Sequence, residues 1–172
     1  MDLNITSSQT IGPFPHEAWR WGVDATSTLI SNVPTITISG TLRDGDGNPI
    51  NDGWIEVWLP DAVTAEAEQA IPGFRRIPSD DQGGFRIEVS LPKAATKGKP
   101  VLYATIFARG LVKHQFTAVF LEDDTGLAKS DILNQVPLNR RNTLIARKQS
   151  EAEYQWDIWM QTDKETVFFD YC

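Results

Sequence analysis

Apolar positions recur at every second residue along much of the chain. Thr35-Ile36-Thr37-Ile38-Ser39, Trp54-Ile55-Glu56-Val57-Trp58 and Phe85-Arg86-Ile87-Glu88-Val89 all alternate, which turns one face of a strand inward and the other to water. Asp44-Gly45-Asp46-Gly47-Asn48-Pro49 and Ser79-Asp80-Asp81-Gln82-Gly83-Gly84 lie between them. There glycine supplies positive φ and Asx side chains close local turns, so antiparallel connections are predicted. β-Branched and aromatic content predicts further strands over Val101–Arg109, His114–Leu121, Thr143–Arg147, Tyr154–Met160 and Thr166–Tyr171. Pro60–Pro72 reads as irregular with room for a short helix, and Glu122–Pro137 as a long surface loop. About eight short strands without a linker or repeat predict an all-β fold, a single-domain two-sheet β-sandwich over residues 1–172 with long loops.

Composition narrows the function classes. A length of 172 residues suits one domain, and a hydrophobic content of 41% with six Trp and eight Phe marks a globular chain. The net charge of −7 disfavours nonspecific binding to nucleic acid or to an anionic membrane, since both demand clustered Lys and Arg. An anionic small substrate would need a local cation. Cys172 is the one cysteine, so an internal disulfide and a cysteine-based metal cluster are both ruled out. With no basic leader pattern and no apolar run near the roughly 18 residues of a membrane span, the expected location is cytoplasmic.

The titratable residues offer few ready-made sites. Imidazole is the commonest metal donor, yet His16 and His114 are the only two in the chain, and each reads as an ordinary hydrogen-bonded or exposed histidine. No nucleophile elbow is present. Asp80-Asp81 and Glu122-Asp123-Asp124 read as solvated charge in turns, and Asp44–Asn48 as a hairpin turn too short for a calcium loop. Arg109 ends the apolar run Ile106-Phe107-Ala108, where an arginine is either paired within the protein or held ready for an anion. Trp54, Trp58, Trp156 and Trp159 are better explained as core or interface anchors than as a stacking platform. Ser7–His16 is too polar, and too interrupted by Gly12, Pro13 and Pro15, for a strand or a helix.

Four stretches together carry a resemblance along nearly the whole chain: Ser8-Gln9-Thr10-Ile11-Gly12-Pro13-Phe14, Gly40 through Trp58, Ile106-Phe107-Ala108-Arg109-Gly110, and Glu165-Thr166-Val167-Phe168-Phe169-Asp170-Tyr171. They resemble the alpha subunits of the protocatechuate 3,4-dioxygenases, within the intradiol ring-cleavage dioxygenase family. The resemblance implies an enzyme of two related β-sandwich chains, in which a homologous beta subunit binds non-haem Fe(III) through two Tyr and two His. It implies cleavage of 3,4-dihydroxybenzoate with O2 to 3-carboxy-cis,cis-muconate in aromatic catabolism, by a larger symmetric assembly of heterodimers.

At the positions where iron-binding members carry His-x-His this chain has Val101-Leu102-Tyr103. One iron-ligand Tyr is matched by Glu66, and Pro92–Pro100 offers none for the other. Tyr103 is expected as a buried or edge-packed strand residue, and the chain is expected to bind no metal itself. The resemblance further makes residues 1–33 an N-terminal arm at the subunit interface. It brings Thr10, Gly12, Pro13 and Arg109 to the substrate pocket, where the positive charge of Arg109 is expected to help receive the substrate carboxylate. Pro60–Gly84 and Pro92–Pro100 look shorter than in such alpha chains, which leaves another para-anionic catechol open. The competing expectation is a noncatalytic β-sandwich module binding carbohydrate or peptide, which leaves the first and last of the four stretches unexplained. A homomeric dioxygenase with an unusual metal site has little to work with in three Tyr and two His.

Overall fold

The computed structural model describes residues 9–12, 19–60, 65–91 and 97–170. Nine strands occur among them: β1 (Thr35–Arg43), β2 (Trp54–Trp58), β3 (Phe74–Pro78), β4 (Gly84–Ser90), β5 (Leu102–Phe107), β6 (Gln115–Leu121), β7 (Ile145–Lys148), β8 (Glu153–Gln155) and β9 (Ile158–Trp159). One layer runs β4-β1-β8-β7 and the other β3-β2-β5-β6. A short parallel pairing, Phe120 with Ile145 and Leu121 with Ala146, stitches β6 to β7 and nearly closes the sandwich into a barrel.

Alternation explains the core. Ile36, Ile38 and Leu42 of β1 and Ile87 and Val89 of β4 face Ile55 and Val57 of β2 and Leu102, Ala104 and Ile106 of β5, all buried in one cluster. β6 breaks the period, because Thr117 through Leu121 are buried in succession. Its second face, Ala118 and Phe120, is covered by Leu133, Val136 and Leu144 and by the tail residues Val167 and Phe169. A strand buried on both faces reads as a continuous apolar run.

Several elements differ from expectation. The two glycine-rich turns do not join neighbouring strands: β1 and β2, and likewise β3 and β4, lie in different layers. Asp44–Asn48 closes a local turn on the Arg43–Pro49 bridge, after which the chain crosses over. The segment expected as one strand over Tyr154–Met160 is two, β8 and β9, which keep the same parallel register along β1. Between them the Asp157 carboxylate, in place of a backbone carbonyl, accepts the Thr41 N–H at 2.9 Å. Thr166–Asp170 is an irregular strap; Phe169 N–H donates to Phe116 O at 2.8 Å and Thr117 Oγ1 to Val167 O at 2.8 Å. Tyr171 lies outside the described residues.

Two helices were not anticipated. Within Glu122–Pro137 a short helix, Asp131–Gln135, is capped by Ser130, whose Oγ accepts the Leu133 N–H. Earlier in the chain, Arg20–Thr26 is helical and lies against β3, where buried Thr26 Oγ1 accepts the Arg76 N–H at 3.0 Å. Trp19 meets Trp54 edge-on at 6.2 Å. Residues 19–33 of the expected arm thus fold onto this chain's own sheet. In Pro60–Pro72 the described residues form turns without a helix.

Candidate functional site

The end of the sandwich where β2 begins and β5 ends gathers the chemistry. Trp54 pairs with Phe107 in the antiparallel β2–β5 ladder. The same register carried two residues beyond the ladder sets Asp52 opposite Arg109, and Arg109 Nε lies 3.0 Å from Asp52 Oδ2. The backbone beside the aspartate has little freedom. Gly53 donates its N–H to Ser79 Oγ at 3.0 Å, and a Cβ there would fall 2.3 Å from Leu42 Cδ2. Gly110, next to the arginine, has φ +93°, a conformation that favours glycine.

Arg109 is 66% exposed and lines a cleft of about 410 Å³ whose apolar side is Ile50, Ala108, Leu111, Met160 and Phe168. Asp44 also lines it. Its carboxyl loses some hydration, but hydrogen bonds from Asn48, Asp46 and Gly47 prevail and hold it below the usual carboxylate range. An adjoining cleft of about 220 Å³ is formed where Gln9 and Ile11 meet Phe107, Leu111, Lys113 and His114. Ala108 and Leu111 belong to both clefts. His114 is exposed, with its ring 5.4 Å from that of Phe107.

Of the expected site residues, Arg109 lines the larger cleft. Thr10 is exposed and lines neither cleft, while Gly12 has φ +79° and open space where a Cβ would sit. Pro13 and His16 lie outside the described residues. Gln9 and Ile11, absent from the sequence expectation, are the arm residues set against the β5–β6 turn.

Where the resemblance matches an iron-ligand tyrosine, Glu66 is wholly buried and already engaged. It accepts Ser90 Oγ–H at 2.6 Å and Gly73 N–H at 3.0 Å. Arg75 Nη2 stands 2.8 Å from its Oε1, out of line for a hydrogen bond, so that attraction is Coulombic. Tyr103 stacks on Phe116 at 5.6 Å beside the second apolar cluster, and Val101 and Leu102 are buried hydrocarbon. Among the described residues no three His, Cys, Asp or Glu side chains converge as metal donors. This donor set, with its carboxylate saturated and a single stacked phenol, does not fit a hard trivalent cation.

The remaining candidates are structural. Asp123 accepts hydrogen bonds from Lys148 Nζ and from Tyr154 Oη, the latter at 3.0 Å. The Lys148 bond, against some desolvation and with help from Tyr154, holds the Asp123 carboxyl below its ordinary value. Asp124 accepts the N–H groups of Gly98 and Gly126 at 2.6 and 2.7 Å. These acids latch loops; they are not the freely solvated charges the sequence suggests. Trp54 and Trp156 are buried, Trp58 is 48% exposed, and Trp159 carries Arg43 and Lys164 over its ring at 5.6 and 5.1 Å. No described helix is long and apolar enough to cross a membrane.

No protein-family profile matches the chain. Among curated proteins it is 30% identical to the protocatechuate 3,4-dioxygenase alpha chain of Burkholderia cepacia, over 98% of each chain. It is 29% identical to the alpha chain of the same name from Pseudomonas putida, again over 98% of each. Among solved structures it resembles the dioxygenase domain of a dioxygenase–carbohydrate-binding fusion from Streptomyces sp. SirexAA-E, with TM-score 0.57, 14% identity, and 81% and 85% of the two chains covered. Catechol 1,2-dioxygenase from Acinetobacter sp. ADP1 aligns with TM-score 0.55 and 17% identity over 86% of this chain and 60% of that one.

Proposed function

Since the chain belongs to the protocatechuate 3,4-dioxygenase alpha-chain family of intradiol dioxygenases, we propose that it is the iron-free, pocket-lining subunit of a heteromeric enzyme. Its partner is a homologous beta subunit that holds Fe(III), in a larger symmetric assembly of heterodimers in the cytoplasm. The pair cleaves 3,4-dihydroxybenzoate with O2 between the hydroxylated carbons, giving 3-carboxy-cis,cis-muconate in aromatic catabolism. Bound in the partner, ferric iron would supply the Lewis acidity that makes a catechol ring electron-rich.

The observation that carries this reading is the alignment of 98% of the chain with alpha chains of that name. Supporting it, the matched ligand position Glu66 is closed by Arg75, Ser90 and Gly73. What this chain contributes is shape and charge. The arm within residues 1–33 forms a wall with Thr10, Gly12 and Pro13, and Gly12 lets the backbone approach a flat ring without a side chain between them. Arg109, exposed beside an apolar cleft, receives the substrate carboxylate.

Expression of the chain alone and with an iron-binding beta chain tests the division of labour, through iron content, visible absorption and O2 uptake on 3,4-dihydroxybenzoate. A colourless, inactive chain alone and a coloured, active complex are expected. Stoichiometric iron and ring opening in the lone chain would refute it. Gly12→Ala places a side chain at positive φ, a strain of about 1–2 kcal/mol in the arm. It is expected to lower turnover of the complex more than it lowers the unfolding midpoint of this chain; unaltered kinetics would count against the wall.

A further inference from the structure

We propose that Asp52 is a positioning residue for Arg109, drawing in its Nε side by charge so that the edge bearing Nη1 and Nη2 is presented to a carboxylate. The inference rests on the role given to Arg109 above and adds the group that aims it. Three observations carry it. First, the partners are matched by sheet register: the β2–β5 pairing ends at Trp54 and Phe107, and its continuation sets Asp52 against Arg109. Cross-strand neighbours of opposite charge are the natural way for a sheet to fix a long side chain at its edge. Second, the aspartate sits on backbone with little play, because Gly53 is wedged against Leu42 and hydrogen-bonded to Ser79.

Third, the contact leaves part of the arginine in use and part available. Nε stands 3.0 Å from Asp52 Oδ2 as an ion pair out of line for a hydrogen bond, and no hydrogen bond or further ion pair of the guanidinium occurs among the described residues. A guanidinium is a planar fork, so a charge that draws in the Nε side turns the Nη1–Nη2 edge the other way. Stability is a poor explanation for the pair. Arg109 is 66% exposed, and ion pairs at such exposure contribute little to folding. Charge alone is also a poor explanation, since a carboxylate beside Arg109 weakens its field at an incoming anion. Orientation is what Asp52 adds.

The test uses the assembled enzyme carrying Asp52→Ala, Asp52→Asn or Arg109→Ala. Binding of 4-hydroxybenzoate is read by calorimetry, and KM is compared for 3,4-dihydroxybenzoate and uncharged catechol. Asp52→Ala, which removes the ion-pair partner, is expected to raise the Kd and the carboxylate KM about two- to fivefold, with a smaller change for catechol. Asp52→Asn keeps the size of the side chain but not its charge and is expected to lose about as much. Tightening in both Asp52 variants would mean that the carboxylate only weakens the field of the arginine and would overturn the proposal. So would wild-type binding in Asp52→Ala while Arg109→Ala is impaired. If Arg109→Ala leaves both substrates unaffected, the carboxylate-receiving role itself fails, and the inference falls with it.

Discussion

Replacing Arg75 by Met isolates the buried charge at the Glu66 position. Glu66 and Arg75 are 0% and 2% exposed, so neither charge is screened by water. Removing one member of a buried pair leaves the other uncompensated, at about 3–5 kcal/mol. Arg75 also donates from Nη1 to Phe74 O at 2.9 Å and from Nε to Glu88 O at 3.2 Å, which adds roughly 1 kcal/mol for each bond lost. For a chain of this length each 1 kcal/mol moves the melting temperature by about 2–4 °C. Arg75→Met should therefore lower it by at least roughly 10 °C.

Urea unfolding followed by the fluorescence of the six Trp reads the loss directly. Glu66→Gln alone and combined with Arg75→Met completes a double-mutant cycle. The double variant should lose less than the sum of the single ones, by about 2 kcal/mol, because the unpaired charge is gone from it. Glu66 also receives the Ser90 hydroxyl and the Gly73 amide, so the double variant still falls below the parent. A loss under about 1 kcal/mol in Arg75→Met would refute the argument, since that is the value of a solvated surface pair.

Gly40→Ala should abolish the soluble fold or lose more than about 4 kcal/mol, because its Cβ would lie 1.8 Å from Trp156 O and 2.6 Å from Phe85 Cζ; soluble yield and urea midpoint check this, and a parent-like midpoint would disprove the close approach. The Asp123–Lys148–Tyr154 latch should make stability pH-dependent at both extremes. Lowered Asp123 contributes stability that is present above its unfolded pKa of about 3.9 and lost as pH falls through the folded value. Lys148, raised by its bond to Asp123, and Tyr154, raised by burial and then by Asp123, contribute stability present below about pH 10 and lost as pH climbs through their folded values. The gap in urea midpoint between the parent and Lys148→Met should narrow at both ends, and a flat gap would show that the latch does not act through ionisation.

Strands with clean alternation were legible because period two and burial coincide in them: β1, β2 and β4 lie within a few residues of where the pattern sets them. β3 was not legible. Phe74-Arg75-Arg76-Ile77-Pro78 carries adjacent arginines and a proline, and these charges are accommodated only in the folded β2–β3 ladder, where Arg76 meets Glu56 and Arg75 meets Glu66. Asp157 interrupts a segment that otherwise reads as one strand, because its side chain takes a ladder position that only the folded register reveals. The helix capped by Ser130 was not legible, because the five residues Asp131–Gln135 are too few to show a helical period. At the site, Arg109 could be singled out as an arginine ending an apolar strand, whereas its partner could not. Asp52 lies in a turn-like stretch and acquires a role only through the β2–β5 register.

Two acid–arginine pairs bracket β2, and their surroundings assign them opposite tasks. At the end where Trp58 meets Phe74, Glu66 and Arg75 are sealed from water and consume each other's capacity. A ligand would have to break several satisfied bonds to reach either group. At the other end, beyond Trp54, Asp52 and Arg109 meet in solvent, where their attraction is weak enough that an incoming carboxylate can share the cation without unfolding anything. The arm reaches this second end through Gln9 and Ile11, and both of its clefts are built on Ala108 and Leu111. A small displacement of that turn would move the arginine and the arm together. On the proposed role, the ladder behind it, closed by Gly53 on one side and continued by β6 on the other, is what would make two exposed features act as a single wall for a bound ring.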